Sequence, residues 1–243
     1  MTAQDTAPTL LTRDRLDEVE GWFFDADRFL FDWLLTHQTA HGMQGDLLEL
    51  GVYKGKSAIV IGYHAADGER FTVCDLFDAG EAPDDSTATE MRVYYPTLTR
   101  QVFEANYLRF HRRLPTVIQG PSSEVTGHVP ARSCRFMHID ASHLYHHVRD
   151  DITAARELLT EDGVVALDDF RSPHTPGVAA ATWEAVLTAG LKPVVLTESK
   201  LYGTWGAAEV LRDTLAARLT THPTLWGVTE DVAGHTLLRV HSR

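Results

Sequence analysis

Leu48-Glu49-Leu50-Gly51-Val52-Tyr53-Lys54-Gly55-Lys56-Ser57-Ala58 is the stretch that decides the fold. Residues 47–52 form an apolar run of strand length. Gly51 and Gly55 then punctuate the chain, and a helical pattern follows over 57–66, closing near Gly68. A strand that turns over glycines into a helix opens a βα unit. Gly51 permits a tight turn and a close approach of backbone to a ligand. Gly55 does the same at the helix start, where free N–H groups and the helix dipole favour an anion.

Outward from this unit the pattern repeats. Further strands are predicted over 71–76, 116–119, 135–140, 164–167, 193–197 and 236–240. Val148, Ile152, Ala155 and Leu159 share one face of a helix between the fourth and fifth strands. Thr175-Pro176 opens another helix, with proline at its first position, and Gly190 closes it. Residues 10–44 read as helical, with Trp22, Phe23, Phe29, Leu30, Trp33 and Leu34 on an apolar face and Asp25 as a cap. This alternation predicts an α/β protein: a doubly wound, mostly parallel seven-stranded sheet with helices on both faces. The expected organisation is an N-terminal helical extension over 1–44 and a main domain over 45–243. The stretch 78–99, rich in Gly, Pro, Asp, Ser and Thr, reads as a long loop of the kind that is often functional.

Bulk properties narrow the function. At 243 residues, with 44% hydrophobic and 23% charged residues, the chain has enough apolar side chains for a full globular core. A net charge of −12 argues against a nucleic-acid partner, since such binding rests on basic patches. No run approaches the roughly 20 apolar residues of a membrane span, and residues 1–9 carry no apolar leader. Cys74 and Cys134 lie in strand-like runs and read as buried thiols, which suits the cytoplasm. The aromatic N-terminal helices offer a surface for a homo-oligomer.

In a parallel sheet the ligand sits beyond the carboxyl ends of the strands. The first strand ends in the Gly51 turn, which is not the G-x-G-x-x-G of dinucleotide sites. The second ends in Asp75, a carboxylate suited to both hydroxyls of a ribose. Together these features point to an adenosyl ligand.

The stretch from Leu48 to Ala58 resembles the first motif of class I S-adenosylmethionine-dependent methyltransferases, especially catechol-type small-molecule O-methyltransferases. The resemblance extends to Asp75, to Gly120-Pro121-Ser122, to Asp140 and to Asp168-Asp169, over roughly residues 45–190. The run His138-Ile139-Asp140-Ala141-Ser142-His143 is also similar to methyltransferases of antibiotic and sugar tailoring. The resemblance implies a Rossmann-like methyltransferase fold. It places Gly51, Tyr53, Gly55 and Ser57, with Glu49 nearby, around the methionine part of S-adenosylmethionine. It places Asp75 on the ribose, Gly120 and Ser122 beside the adenine, and Asp140 at the reacting end.

Asp140, Asp168 and Asp169 should converge at the strand edge. Adjacent strand residues point to opposite faces, so 168 and 169 both reach one site only if the chain turns there. Carboxylates packed together repel unless one is protonated or a cation is present. Oxygen ligands suit magnesium, which would lower the pKa of an acceptor hydroxyl. Lys200 and Arg171 are the alternatives that could neutralise the cluster without a metal. His143 takes the offset at which the resemblance implies a general base. His138, His143, His146 and His147 lack the spacing of a zinc motif, and His146 and His147 read as exposed at a helix start. Tyr94, Tyr95, Tyr202 and Trp205 are candidates for the acceptor pocket.

The function expected is O-methylation of a hydroxyl on a small molecule, such as a sugar, phenol or natural-product intermediate, with S-adenosylmethionine and a divalent metal. A nicotinamide-dependent oxidoreductase and a non-catalytic adenosyl-binding protein are the alternatives. The missing third glycine weighs against the first and the intact acidic cluster against the second.

Overall fold

Side chains alternate along each strand and so divide the core in two. In β1 (Asp46–Leu50), Leu47 joins one apolar cluster while Leu48 and Leu50 join the other. In β4 (Cys134–Ile139), Phe136 goes to the first face and Met137 and Ile139 to the second. The computed structural model describes residues 13–78, 82 and 84–243. The sequence readings at residues 1–12, 79–81 and 83 lie outside the described residues.

The other strands are β2 (Phe71–Asp75), β3 (Thr116–Gln119), β5 (Leu159–Leu167), β6 (Lys192–Leu196), β7 (Leu201–Thr204), β8 (Leu225–Val232) and β9 (His235–Ser242). The sheet order is β3-β2-β1-β4-β5-β7-β6-β9-β8. β3 through β5 run parallel, β7 is antiparallel to both β5 and β6, and β8 is antiparallel to β9. One face is covered by α2 (Asp25–Ala40), α3 (Lys56–Gly62), α5 (Arg100–Leu108) and α8 (Ala208–Leu219). The other is covered by α6 (Tyr145–Leu158) and α7 (Pro176–Thr188). A short α1 (Arg13–Asp17) and α4 (Asp85–Tyr94) complete the helices, with a 3-10 turn over Ser122–Gly127.

The sheet therefore has nine strands where seven were expected. The segment predicted to close the sheet is β9, which pairs with the outer side of β6. The slot between β5 and β6 is filled by β7, only four residues long. β8 is a mostly exposed edge strand joined to β9 by Ala233-Gly234, both at positive φ (51° and 82°), as a two-residue hairpin turn requires. Stretch 78–99 also holds more than a loop, because α4 forms within it, capped by the Asp84 side chain.

The aromatic face of the N-terminus is spent inside the protein. Leu30, Phe31, Leu34 and Leu35 of α2 are fully buried against the sheet. Phe31 meets the rings of Phe136 and His138 edge-on, and among the described Phe and Trp residues of the N-terminal segment only Trp22 and Phe24 stand exposed. Cys74 and Cys134 are buried free thiols whose pKa burial pushes up to about 12. Among the described residues no helix is long and apolar enough to cross a membrane.

Candidate active site

The loop after β1 is held by its neighbours. Gly51 has φ +76°, and a Cβ there would lie 2.0 Å from the Asp140 carbonyl oxygen, so no other residue fits. Tyr53, Phe77 and Asp169, each just beyond a strand, also adopt positive φ (47°, 49° and 56°). Such strain clusters where function over-determines the backbone. Around the loop, the Tyr53 ring stacks on Trp22 at 5.7 Å and meets Tyr95 edge-on at 5.5 Å. Glu20 accepts hydrogen bonds from the Tyr53 hydroxyl and from Lys54.

Asp75, the expected ribose ligand, is also bonded within the protein. Its carboxylate is buried and accepts from the backbone N–H of Val52 (2.7 Å), Tyr53 (3.0 Å) and Phe77 (2.7 Å). Burial raises its pKa, and these three donors only partly offset that. Asp75 thus shapes the turn, and its Oδ1, which takes one of these donors, keeps acceptor capacity. Asp75→Ala should strand those donors and cost roughly 1–3 kcal/mol of stability for each that water cannot reach. Denaturant unfolding together with calorimetric titration of S-adenosylhomocysteine measures this, and both stability and affinity should fall.

Other expected cofactor residues are also engaged within the protein. Glu49 is fully buried and bonded to Ser57 Oγ and to His138 Nδ1 (2.7 Å), leaving Glu49 Oε2 and His138 Nε2 without partners. Gly55 (φ +96°) lies against the Phe103 ring, where a Cβ would come within 3.0 Å. The Gly120 N–H donates to the Asp75 carbonyl (3.0 Å). Ser122 lies beside Asp151 of α6 and lowers its pKa, but burial outweighs that and pushes it up to about 7. Glu49 and Ser57 therefore build the frame of the loop through the bond between their side chains.

The carboxylate cluster forms where β4 and β5 end. The Asp140 N–H donates to Leu50 (2.8 Å) and the Asp168 N–H to Ile139 (3.0 Å), which sets the ends of β1, β4 and β5 side by side. Positive φ at Asp169 supplies the turn that brings both 168 and 169 to this edge. Potential ligand atoms of Asp140, His143 and Asp169 lie within 4.8 Å of one another, as do those of His138, Asp140 and Asp168. Lys200, 1% exposed, is ion-paired with Asp168. Burial alone would raise the Asp168 pKa, but Lys200 and the nearby His138 hold it down at about 2. Asp27 of α2 lies fully buried near Lys200 and accepts from Thr197, Tyr202 and Ser199. Arg171, the other candidate cation, is exposed.

His143 differs from a free base. Its Nδ1 meets Glu90 of α4 at 2.6 Å and its Nε2 meets Asp169 at 2.8 Å. Burial would lower its pKa, but the bonds and charges of Asp169 and Glu90 outweigh it and push it up to about 10. At neutral pH the ring is a cation donating from both nitrogens. A pKa raised on folding gives stability that is complete below the ordinary value near ~6.5 and is lost as pH rises through about 10. Thermal midpoints should therefore fall between pH 7 and pH 10 more for the wild type than for His143→Ala.

Of the expected pocket aromatics, Tyr95 faces the cluster: burial raises its pKa, and Asp140, Glu90 and Asp169 raise it further. Tyr202 does not, being fully buried with its hydroxyl on Asp27 (2.8 Å). Trp205 bonds the Ala189 carbonyl beside the start of β5, and Tyr94 is exposed.

A family of methyltransferase domains matches residues 48–170, half of the chain. The chain belongs to this family. It is a class I S-adenosylmethionine-dependent methyltransferase, and the matched span runs from the β1 strand past the Asp168-Asp169 pair. No curated protein matches this methyltransferase by sequence. Among solved structures, the O-methyltransferase NovP is 18% identical, with 74% of this chain and 79% of that chain covered and a TM-score of 0.60. A TDP-rhamnose 3′-O-methyltransferase, an enzyme in calicheamicin biosynthesis, is 18% identical over 75% and 80% of the two chains, with a TM-score of 0.51. An O-methyltransferase from Bacillus cereus in complex with S-adenosylhomocysteine is 13% identical over 84% and 92%, with a TM-score of 0.50. At these identities the likeness is one of fold.

The residues of this methyltransferase fit a divalent ion. The Asp140 carboxylate receives no hydrogen bond among the described residues, and burial, then Asp168 and Asp169, raise its pKa well above the usual range. Four carboxylates (Asp140, Asp168, Asp169 and Glu90) face two cations (Lys200 and His143). The surplus negative charge is what a hard cation would neutralise.

Proposed function

We propose that this methyltransferase moves the methyl group of S-adenosylmethionine to a hydroxyl oxygen of a small molecule, at the edge where β1, β4 and β5 end. The observation that carries the reading is the Asp140 carboxylate, half-buried and without a hydrogen-bond donor among the described residues, on a residue whose backbone lies directly against Gly51. The Gly51–Gly55 turn takes the methionine part, with Tyr53 beside it, and the Gly120–Ser122 turn borders the adenine. S-adenosylmethionine held there would offer its methyl group at the edge that carries Asp140.

An acceptor hydroxyl placed there donates its hydrogen bond to Asp140. When bound, S-adenosylmethionine would supply an electrophilic methyl group, the new carbon–oxygen bond forming as the carbon–sulfur bond leaves its electron pair on sulfur. With no ion bound, the hydroxyl proton would pass to Asp140, whose raised pKa makes it a stronger base than an ordinary carboxylate. His143 is a positioning residue: as a cation it fixes Asp169 and, through Glu90, α4. Tyr95 and Tyr53 wall the approach and limit water. Asp140, Asp168 and Asp169 would hold a magnesium ion, which when bound supplies charge that favours the ionised acceptor. The negative surface favours a neutral or cationic acceptor, and the O-methyltransferases of similar fold support a sugar, phenol or natural-product alcohol.

Release of S-adenosylhomocysteine with a panel of phenols and sugars tests the reading. Turnover should give an O-methyl product, vanish with a chelator and return with magnesium or manganese. Full turnover in a metal-stripped sample would remove the ion and leave proton transfer to Asp140. A methyl group found on nitrogen or carbon would overturn the O-methyl assignment.

A further inference from the structure

Three side chains outside the carboxylate cluster meet where α4 begins and α6 begins. Asp84 caps α4, its Oδ1 accepting from the Thr87 N–H at 2.9 Å. His146 and His147 lie in the first turn of α6. Potential ligand atoms of the three lie within 4.8 Å of one another. His147 Nε2 and Asp84 Oδ2 are 3.5 Å apart. A charge-assisted hydrogen bond would be about 2.7–2.9 Å. Two ligands on a tetrahedral ion with bonds of about 2.0–2.1 Å stand roughly 3.4 Å apart. The observed gap thus suits an ion between the groups better than a direct bond.

The surroundings support the same reading. Ser142 Oγ lies 2.9 Å from His147 Nδ1, which leaves Nε2 facing Asp84. Bonding the second ring nitrogen is how proteins fix the orientation of a ligating histidine. The His146 ring stands 4.2 Å from that of His147, inclined by 62°. Two imidazoles and one carboxylate suit zinc, with its nitrogen preference, rather than magnesium.

We propose that Asp84, His146 and His147 form a zinc site that ties α4 to α6. The fourth position is left to water. α4 carries Glu90, which grips His143, and leads into Tyr95, which meets Tyr53 on the cofactor loop. A zinc ion fixing the start of α4 therefore steadies two walls of the active site without entering it.

Zinc chloride titrated calorimetrically into the full chain, with magnesium saturating, tests the proposal. One zinc should bind. Ser142→Ala should weaken it about 10–100-fold, and His146→Ala or His147→Ala should weaken it more. Asp140→Asn should bind zinc as the wild type does. X-ray absorption should report imidazole nitrogens, and amide exchange over 85–95 should slow when zinc is added. Both histidines are at least partly exposed, so their variants should unfold at the wild-type temperature without zinc. No zinc binding, unchanged binding in the His146→Ala/His147→Ala double variant, or loss of binding in Asp140→Asn would each overturn it.

Discussion

Lys200→Met is expected to destabilise this methyltransferase by about 3–5 kcal/mol, the cost of breaking a buried ion pair from one side. Lys200 is 1% exposed and paired with Asp168, and burial, which would lower its pKa, is outweighed by Asp168, Asp140 and Asp27. Methionine fills similar space but removes the only cation buried among these three carboxylates in the described residues. The pH dependence identifies the cause. Asp168 is held down at about 2, so its pairing adds stability above its ordinary pKa, and that stability is lost as pH falls through about 2. The penalty of Lys200→Met should therefore be full at pH 7 and shrink below pH 4. Urea unfolding at several pH values measures it. A loss under about 1 kcal/mol at pH 7 would mean that the buried charges are not coupled as described.

Asp140→Asn carries the largest expected effect on activity. Asparagine keeps the shape but can neither take the acceptor proton nor add charge for an ion. Turnover should fall by about 10²–10⁴-fold. Affinity for S-adenosylhomocysteine should change little, because the Gly51 turn contacts the Asp140 backbone and not its side chain. Stability should hold or rise, since one of several mutually repelling carboxylates is gone. Single-turnover kinetics and thermal unfolding separate these outcomes. Turnover within a few-fold of the wild type would remove Asp140 from the chemistry.

The α/β architecture was legible because β1, β2, β4 and β5 carry short, largely apolar stretches separated by helical patterns, as buried parallel strands do. Gly51 and Gly55 announced the turn between β1 and α3. β7 was not legible: Leu201–Thr204 is four residues long and contains a glycine. β8 was hidden because it is a largely exposed edge strand interrupted by Gly227 and by Thr229-Glu230-Asp231, with Ala233-Gly234 in place of the usual Asn-Gly turn.

The cluster was legible as a set of residues and not as a set of partners. Asp140, Asp168 and Asp169 stand out because they follow strands. That Lys200 neutralises Asp168 was visible only as one of two candidate cations. Glu90 left no signal, since it meets His143 from a helix 53 positions away in a stretch whose composition suggests a loop. Asp27 was equally silent, because its partners lie on a turn and strand about 170 residues further on. The backbone bonds of Asp75 were silent for a related reason: a carboxylate after a strand can serve a ligand, its own loop or both, and local sequence does not distinguish them. His143 shows the same limit, because its charge depends on two partners distant in sequence.

The most direct test of the account is a crystal structure with S-adenosylhomocysteine and manganese, with anomalous scattering used to locate the metal. Manganese favours oxygen ligands and reports a magnesium site. The account predicts S-adenosylhomocysteine along the Gly51–Gly55 turn, its sulfur toward Asp140, and one strong anomalous peak among Asp140, Asp168 and Asp169. S-adenosylhomocysteine bound in that turn with no peak at the aspartates, and Lys200 still closed on Asp168, would contradict the metal-assisted reading. S-adenosylhomocysteine bound away from the turn would contradict the site itself.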